Sequence, residues 1–162
     1  MSPCILGIDP GTAVTGYGVI EPSQDRPGRL IECGVIRTDG AQPLGDRLDT
    51  LFEGVTTLIA RHHPEAVAVE SVFYAKNVRT TVTLGHARGV ILLAAARAGV
   101  PVREFTPATV KKNVVGNGRA AKAQVGFMVQ KLLNLATPPS PDDAADGVAL
   151  ALTLILTGGV TR

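Results

Sequence analysis

The sequence predicts an α/β fold built on a mixed five-stranded sheet, an antiparallel meander continued by parallel crossovers, with helices on its faces. Three short apolar runs separated by turn-rich connections come first. After them, helical and strand-like patterns alternate, which implies parallel strands joined through helices. At 162 residues, 45% of them hydrophobic, the chain can bury one sizeable core and is short for two typical domains. A single domain over residues 1–162 is therefore expected.

The expected order is βββαβαβααα. Ile5 to Ile8, Gly16 to Ile20 and Leu30 to Arg37 read as the meander, connected by "DPGTAVT" and "EPSQDRPG". Leu44, Leu48, Leu51, Phe52, Val55, Leu58 and Ile59 recur at helical spacing, predicting an amphipathic helix from about Pro43 to His62. "EAVAVE" is a buried strand, Arg79 to Ala98 a second helix and "GVPVREF" a fifth strand. Thr106-Pro107 then supplies a cap and first turn for a third helix, which "GNG" at 116–118 breaks. A fourth helix covers about Ala120 to Leu133, and Ala136 to Pro141 is a Pro-rich loop. "SPDD" at 140–143 opens the last helix as a sequence resembling a capping box.

The second helix, "VTLGHARGVILLAAARAG", is apolar or small around most of its circumference, so one buried face does not satisfy it. Either the same helix of another subunit covers the rest, or the helix is sandwiched inside the monomer.

The longest nearly uncharged apolar stretch, Val148 to Val160, is shorter than the roughly 20 residues of a membrane-spanning helix, and the N-terminus carries no charged export signal. Cys4 and Cys33 lie in apolar strand-like runs, which favours buried thiols in a reducing compartment over a disulfide. A cytoplasmic protein without membrane contact is expected. His62, His63 and His86 have no partner at a zinc-ligand spacing.

Asp9 ends the first strand and Glu70 the fourth. Ligands in such sheets bind beyond the carboxyl ends of parallel strands, so if these two strands are parallel neighbours, both carboxylates open into one crevice. Each taken alone also fits a plainer role, Asp9 as a turn aspartate accepting backbone hydrogen bonds and Glu70 as a strand-end charge reaching solvent. In "PDDAAD", Asp143 and Asp146 share a helix face, as do Asp142 and Asp146. The helix dipole accounts for acids in the first turn, but poorly for Asp146. That side chain stands beside the stripe Ala145, Val148, Ala149 and Leu152, at the edge of the core. Converging carboxylates raise one another's pKa and cannot all ionise unaided. Divalent cations resolve the conflict: hard oxygen ligands suit Mg²⁺ or Mn²⁺, and two such ions about 4 Å apart clamp an in-line displacement at a phosphodiester.

The net charge of +2 hides a segregation. Residues 1–70 hold five basic and ten acidic side chains, whereas residues 71–135 hold ten basic and one acidic. A block so basic favours a polyanionic partner over a merely solvated face. Phe73 and Tyr74 open this block just after Glu70, where an aromatic can stack on or wedge between bases, although core filling would also explain either ring. Lys76 and Arg79 follow, and Lys111, Lys112, Arg119 and Lys122 flank the "GNG" turn as natural phosphate contacts.

Together "GIDPGTAVTGYGVI", "AVAVESVFYAKNVRTTVTLGHARGV", "VPVREFTPATVKKNVVGNGRAAKAQV" and "PDDAADGVALALT" resemble the RuvC-type Holliday junction resolvases, endonucleases of bacterial recombination with the ribonuclease H-like fold. The similarity runs along nearly the whole chain. It implies that Asp9, Glu70, Asp143 and Asp146 bind two Mg²⁺ ions, with Asp142 a bystander. It implies further that Phe73 probes the junction and that Lys111 and Lys122 serve near the scissile phosphate or in DNA binding. A homodimer that nicks two like-polarity strands of a four-way DNA junction, leaving ligatable ends and working with RuvA and RuvB, is what the resemblance implies. "EPSQDRPGRL" is a variable linker to which no role is transferred.

Three rivals share parts of this pattern. An actin-like or sugar-kinase ATPase also carries D-x-G-T after its first strand, but those enzymes pair two such domains around the nucleotide. A RuvC-like nuclease of ribosomal RNA processing shares the opening hairpin and resembles this chain less after Glu70. A non-enzymatic DNA-binding module leaves the placed carboxylates unexplained.

Overall fold

The computed structural model describes residues 2–71 and 77–159. The expected order is found: β1 (Ile5–Asp9), β2 (Val14–Pro22), β3 (Gly28–Arg37), α1 (Leu44–His62), β4 (Ala66–Glu70), α2 (Val78–Arg97), β5 (Val102–Phe105), α3 (Pro107–Val115), α4 (Lys122–Leu132) and α5 (Asp142–Leu156). The sheet runs β3-β2-β1-β4-β5, with β1, β2 and β3 antiparallel and β4 parallel to both β1 and β5.

Strand alternation sorts the side chains between two cores. Leu6, Ile8, Val67 and Val69 point to the face covered by α1 and α2, whereas Ile5, Ala66 and Ala68 point to the face covered by α3, α4 and α5. Asp9 shares its parity with Ile5, and Glu70 with Ala66 and Ala68. Both strand-end carboxylates therefore emerge on the α5 face. That helix buries nine of its fifteen residues and lies directly on β1 and β2. A Cβ added at Gly7 would fall 2.0 Å from the Gly147 carbonyl oxygen, and one at Gly147 2.5 Å from the Tyr17 Cα. Only glycine allows helix and sheet backbones to approach so closely.

Helix α1 lays Leu51, Val55, Leu58 and Ile59 on the opposite face. Helix α2 buries Ala87, Ile91, Ala94 and Ala95 against the same core. Its other side stays open, with Val78, Val82 and Leu93 exposed by 79%, 56% and 52% and open space beyond Gly85 and Gly89. These positions recur at helical spacing, so the sandwich alternative does not hold within one protomer.

Several expectations need correction. Strand β2 starts at Val14 and runs to Pro22, because β3 pairs with it from Arg37 back to Gly28. No capping box forms at Ser140: Pro141 is the N-cap of α5, without a side-chain cap hydrogen bond. The Asp143 side chain belongs to an acid cluster instead. Cys4 is buried and its thiol donates to the His62 carbonyl at 3.3 Å, but Cys33 is only half-buried. The Thr106 cap does form, its hydroxyl accepting from the Thr109 N–H at 3.1 Å. Among the described residues, no helix is long and apolar enough to cross a membrane.

Candidate active site

Strands β1 and β4 pair in register from Ile5 opposite Ala66 to Ile8 opposite Val69. Asp9 and Glu70 thus leave adjacent parallel strands at the same end, the position expected for ligands in such sheets. Helix α5 begins over that edge, with Asp143 in its first turn and Asp146 nearly one turn on. One carboxylate oxygen each from Asp9, Asp143 and Asp146 lies within 4.8 Å of the others. Glu70 joins the set through a side-chain hydrogen bond with Asp9. Asp9, Glu70 and Asp146 line a crevice of about 220 Å³ with Lys111 of α3 and Lys122 of α4. The Lys122 Nζ sits 3.0 Å from Asp146 Oδ2.

The electrostatics follow from this crowding. Burial, then the charges of Glu70, Asp146 and Asp143, push the Asp9 carboxyl up to about 9. Burial also raises Glu70, against the opposing pull of Lys111 and Lys122. Asp146 is raised by burial despite its hydrogen bond to Lys122. The Lys122 ammonium is in turn held charged, first by that same hydrogen bond. Without a cation Asp9 keeps a proton and shares it with its neighbours. The fully ionised cluster requires positive charge among its oxygens. An all-oxygen donor set of this kind fits a hard divalent cation and not zinc held by nitrogen or sulfur.

The turn after β1 keeps clear of the cluster because it closes on itself. The buried Thr15 hydroxyl accepts from the Gly11 N–H at 3.1 Å and donates to the Gly11 carbonyl at 2.7 Å. That N–H is therefore engaged within the turn itself. The Thr38 hydroxyl donates to the Thr12 carbonyl and ties the turn to the end of β3.

Of the residues singled out in the sequence, Asp9, Glu70, Asp143, Asp146, Lys111 and Lys122 come together. Asp142 is exposed and outside the cluster. Arg79, Lys112 and Arg119 are exposed, and none of them lines the crevice. Phe73, Tyr74 and Lys76 lie outside the described residues. Sequence reasoning set Ala149 beside Asp146 but missed the rest of the apolar wall, Pro107, Val110, Val125 and Leu150. Helical periodicity had placed each of them on a helix, but gave no sign that α3, α4 and α5 meet there.

The comparisons agree with this geometry. The family model for crossover junction endodeoxyribonuclease RuvC matches residues 5–154. The chain is 51% identical to the crossover junction endodeoxyribonuclease RuvC of Pelotomaculum thermopropionicum, covering 91% of this chain and 90% of that one. It is 53% identical to the protein of the same name from Rubrobacter xylanophilus, over 91% and 82% of the two chains. Among solved structures, T. thermophilus RuvC in complex with Holliday junction substrate superimposes with a TM-score of 0.91 at 36% identity, over 96% of this chain and 94% of that one. The yeast mitochondrial Holliday junction resolvase, 16% identical with a TM-score of 0.66, shares the fold. An acid cluster at the carboxyl ends of β1 and β4, completed by α5 and matched along nearly the full length by these relatives, has one interpretation: the chain belongs to the RuvC family of crossover junction endodeoxyribonucleases.

Proposed function

We propose that this chain cuts four-way DNA junctions by hydrolysing one phosphodiester in each of two like-polarity strands, with Asp9, Glu70, Asp143 and Asp146 holding two Mg²⁺ ions for which Mn²⁺ substitutes. The observation that carries the proposal is the approach of the Asp9, Asp143 and Asp146 oxygens to within 4.8 Å. Carboxylates this close, and pushed toward neutrality by one another, are stabilised in their ionised form by cations held between them. When bound, the ions supply activation of the attacking water and neutralisation of charge on the phosphate and leaving oxygen.

The chain's own residues do the rest. Lys111 and Lys122 put two positive charges at the mouth of an acid cluster that would otherwise repel a polyanion. Lys122, bonded to Asp146 at 3.0 Å, orients that carboxylate and stands ready to meet the phosphate. Arg79, Lys112 and Arg119 contribute exposed charge for the DNA backbone, and Phe73, Tyr74 and Lys76, which follow Glu70 in the sequence, are assigned to the same DNA. The open apolar face of α2 is the surface through which two copies pair, placing two sites on one junction. RuvA and RuvB as branch-migration partners, and the cytoplasm as compartment, complete the reading by resemblance.

The test offers the purified protein a four-way junction, a linear duplex and ATP, each with Mg²⁺ or EDTA. Paired, ligatable nicks in the junction, dependent on metal and scarce on duplex, are expected. ATP turnover without junction cleavage would contradict the proposal.

A further inference from the structure

A second cavity, about 390 Å³, opens between α4 and the Pro-rich loop before α5, and Lys122 and Asp146 form part of its wall as well as part of the crevice. We propose that this groove receives the base of one nucleotide adjacent to the scissile phosphate, unstacked at the branch point. The inference rests on the nuclease reading above and assigns that site a base pocket.

Three features of the groove fit a nucleobase. Its walls include Phe127, Pro138 and Val125, and Phe127 is 54% exposed, the one aromatic among the large apolar side chains left open in the described residues. An exposed ring beside a phosphate-handling site is a stacking platform for any base. The Lys131 Nζ stands over that ring, 5.4 Å from its centre, and adds a positive charge beside the groove. Gln130 is fixed in orientation: its Nε2 donates to the carbonyls of Leu135 at 3.3 Å and Ala136 at 3.1 Å. Its Oε1 is thereby the amide atom left to accept, on a side chain that forms part of the groove wall. Continuity with the crevice sets the distance. A phosphate held at Asp146 and Lys122 has its neighbouring nucleotide at the groove mouth. A branch point lowers the cost of unstacking that nucleotide's base, because a base pair at an opened junction lacks a stacking neighbour on one side.

The experiment uses the full chain and a junction with one defined cut. Abasic analogues replace, one at a time, each of the three nucleotides on either side of that cut, and single-turnover cleavage is compared with the intact junction. One position should slow the wild type about 10-fold, the scale of losing a base–aromatic stack. Phe127→Ala should cut the intact junction about 10-fold more slowly and be indifferent to that same abasic position, whereas Phe127→Tyr retains the wild-type pattern. Should the alanine variant melt early, Phe127→Leu keeps the apolar bulk and loses the stacking face. 2-Aminopurine at the sensitive position, or at each of the six positions if no cutting occurs, reports departure from the base stack as a rise in fluorescence on binding that Phe127→Ala diminishes, so failure of the nuclease reading is told apart from failure of the pocket. No sensitive position and no Phe127-dependent rise in fluorescence would overturn the proposal and leave the groove to another occupant, such as a protein segment. The same abasic penalty in Phe127→Ala as in the wild type would also overturn it.

Discussion

Gly16 and Asp143 meet backbone to backbone: a Cβ built on Gly16 would lie 1.7 Å from the Asp143 carbonyl oxygen. Gly16 is also the partner of Asp9 in the β1–β2 pairing. The residue beside one carboxylate thus sets how near the helix carrying two others can come. The acid cluster is a consequence of helix–sheet distance as much as of the acids themselves.

Gly16→Ala is accordingly expected to lift the start of α5 and spread the cluster. Overpacking of this kind costs about 1–3 kcal/mol of stability, and here it falls on the site. Cleavage should drop far more than junction affinity, with metal affinity falling in step. A variant that melts lower yet cuts with unchanged Mg²⁺ dependence would separate the packing from the chemistry.

Lys122 makes one bond that serves two purposes, at 3.0 Å from Asp146. Lys122→Met keeps the aliphatic stem and removes the charge. Junction cleavage at saturating protein should fall roughly 100-fold, the scale of losing one group aimed at developing charge. Junction affinity should weaken by much less, because a single phosphate contact is only a small part of a salt-dependent total. Equal losses in affinity and single-turnover rate would make Lys122 a DNA contact only.

Metal removal should reverse the ordinary pH dependence of stability. The folded Asp9 pKa of about 9 stands above its reference value of 3.8, and Glu70 and Asp146 are shifted the same way. The metal-free folded chain therefore binds more protons than the unfolded one, and stability must decline as pH rises toward about 9. Above about pH 6 ordinary carboxylates are already ionised and contribute no opposing slope. In EDTA, the melting temperature should fall between about pH 6 and 9, and Mg²⁺ should flatten that decline. Rising stability with pH in EDTA over this window would contradict the account of the cluster.

The open face of α2 makes a separate claim. Leu93 is half exposed on it, so Leu93→Glu should leave the fold intact and halve the mass seen in sedimentation. Cleavage of the two strands should then lose its coordination, with single nicks accumulating. A wild-type chain that sediments as a monomer at micromolar concentration would remove this surface from the proposal.

The sequence carried the order of elements because each is locally consistent: heptad-like spacing in α1, alternation in β1 and β4, the Thr106 cap before α3. It also singled out the six groups that come together, Asp9 and Glu70 as strand-end carboxylates, Asp143 and Asp146 as a pair on one helix face, and Lys111 and Lys122 as basic residues flanking the "GNG" turn. What it did not carry was the approach of α5. Gly7 and Gly16 fall in the expected strands and Gly147 in the expected last helix, and only the packed structure gives them a shared role as a seat for that helix. The groove beside Phe127 was invisible for a similar reason. It arises where α4 faces the loop before α5, and no local pattern announces a meeting of segments distant from one another along a face. The capping box at Ser140 failed because Asp143 is held in the cluster, a tertiary demand that overrides a local preference.

The central claim, that Asp143 completes a cation-holding acid cluster where DNA is cut, is tested most directly by Asp143→Asn. The measurement is single-turnover cleavage of a four-way junction in Mg²⁺, paired with junction binding measured in EDTA. The account expects binding close to wild type and cutting at least ~100-fold slower, on the scale of removing one electrostatic group from a site. Cutting at the wild-type rate would contradict it.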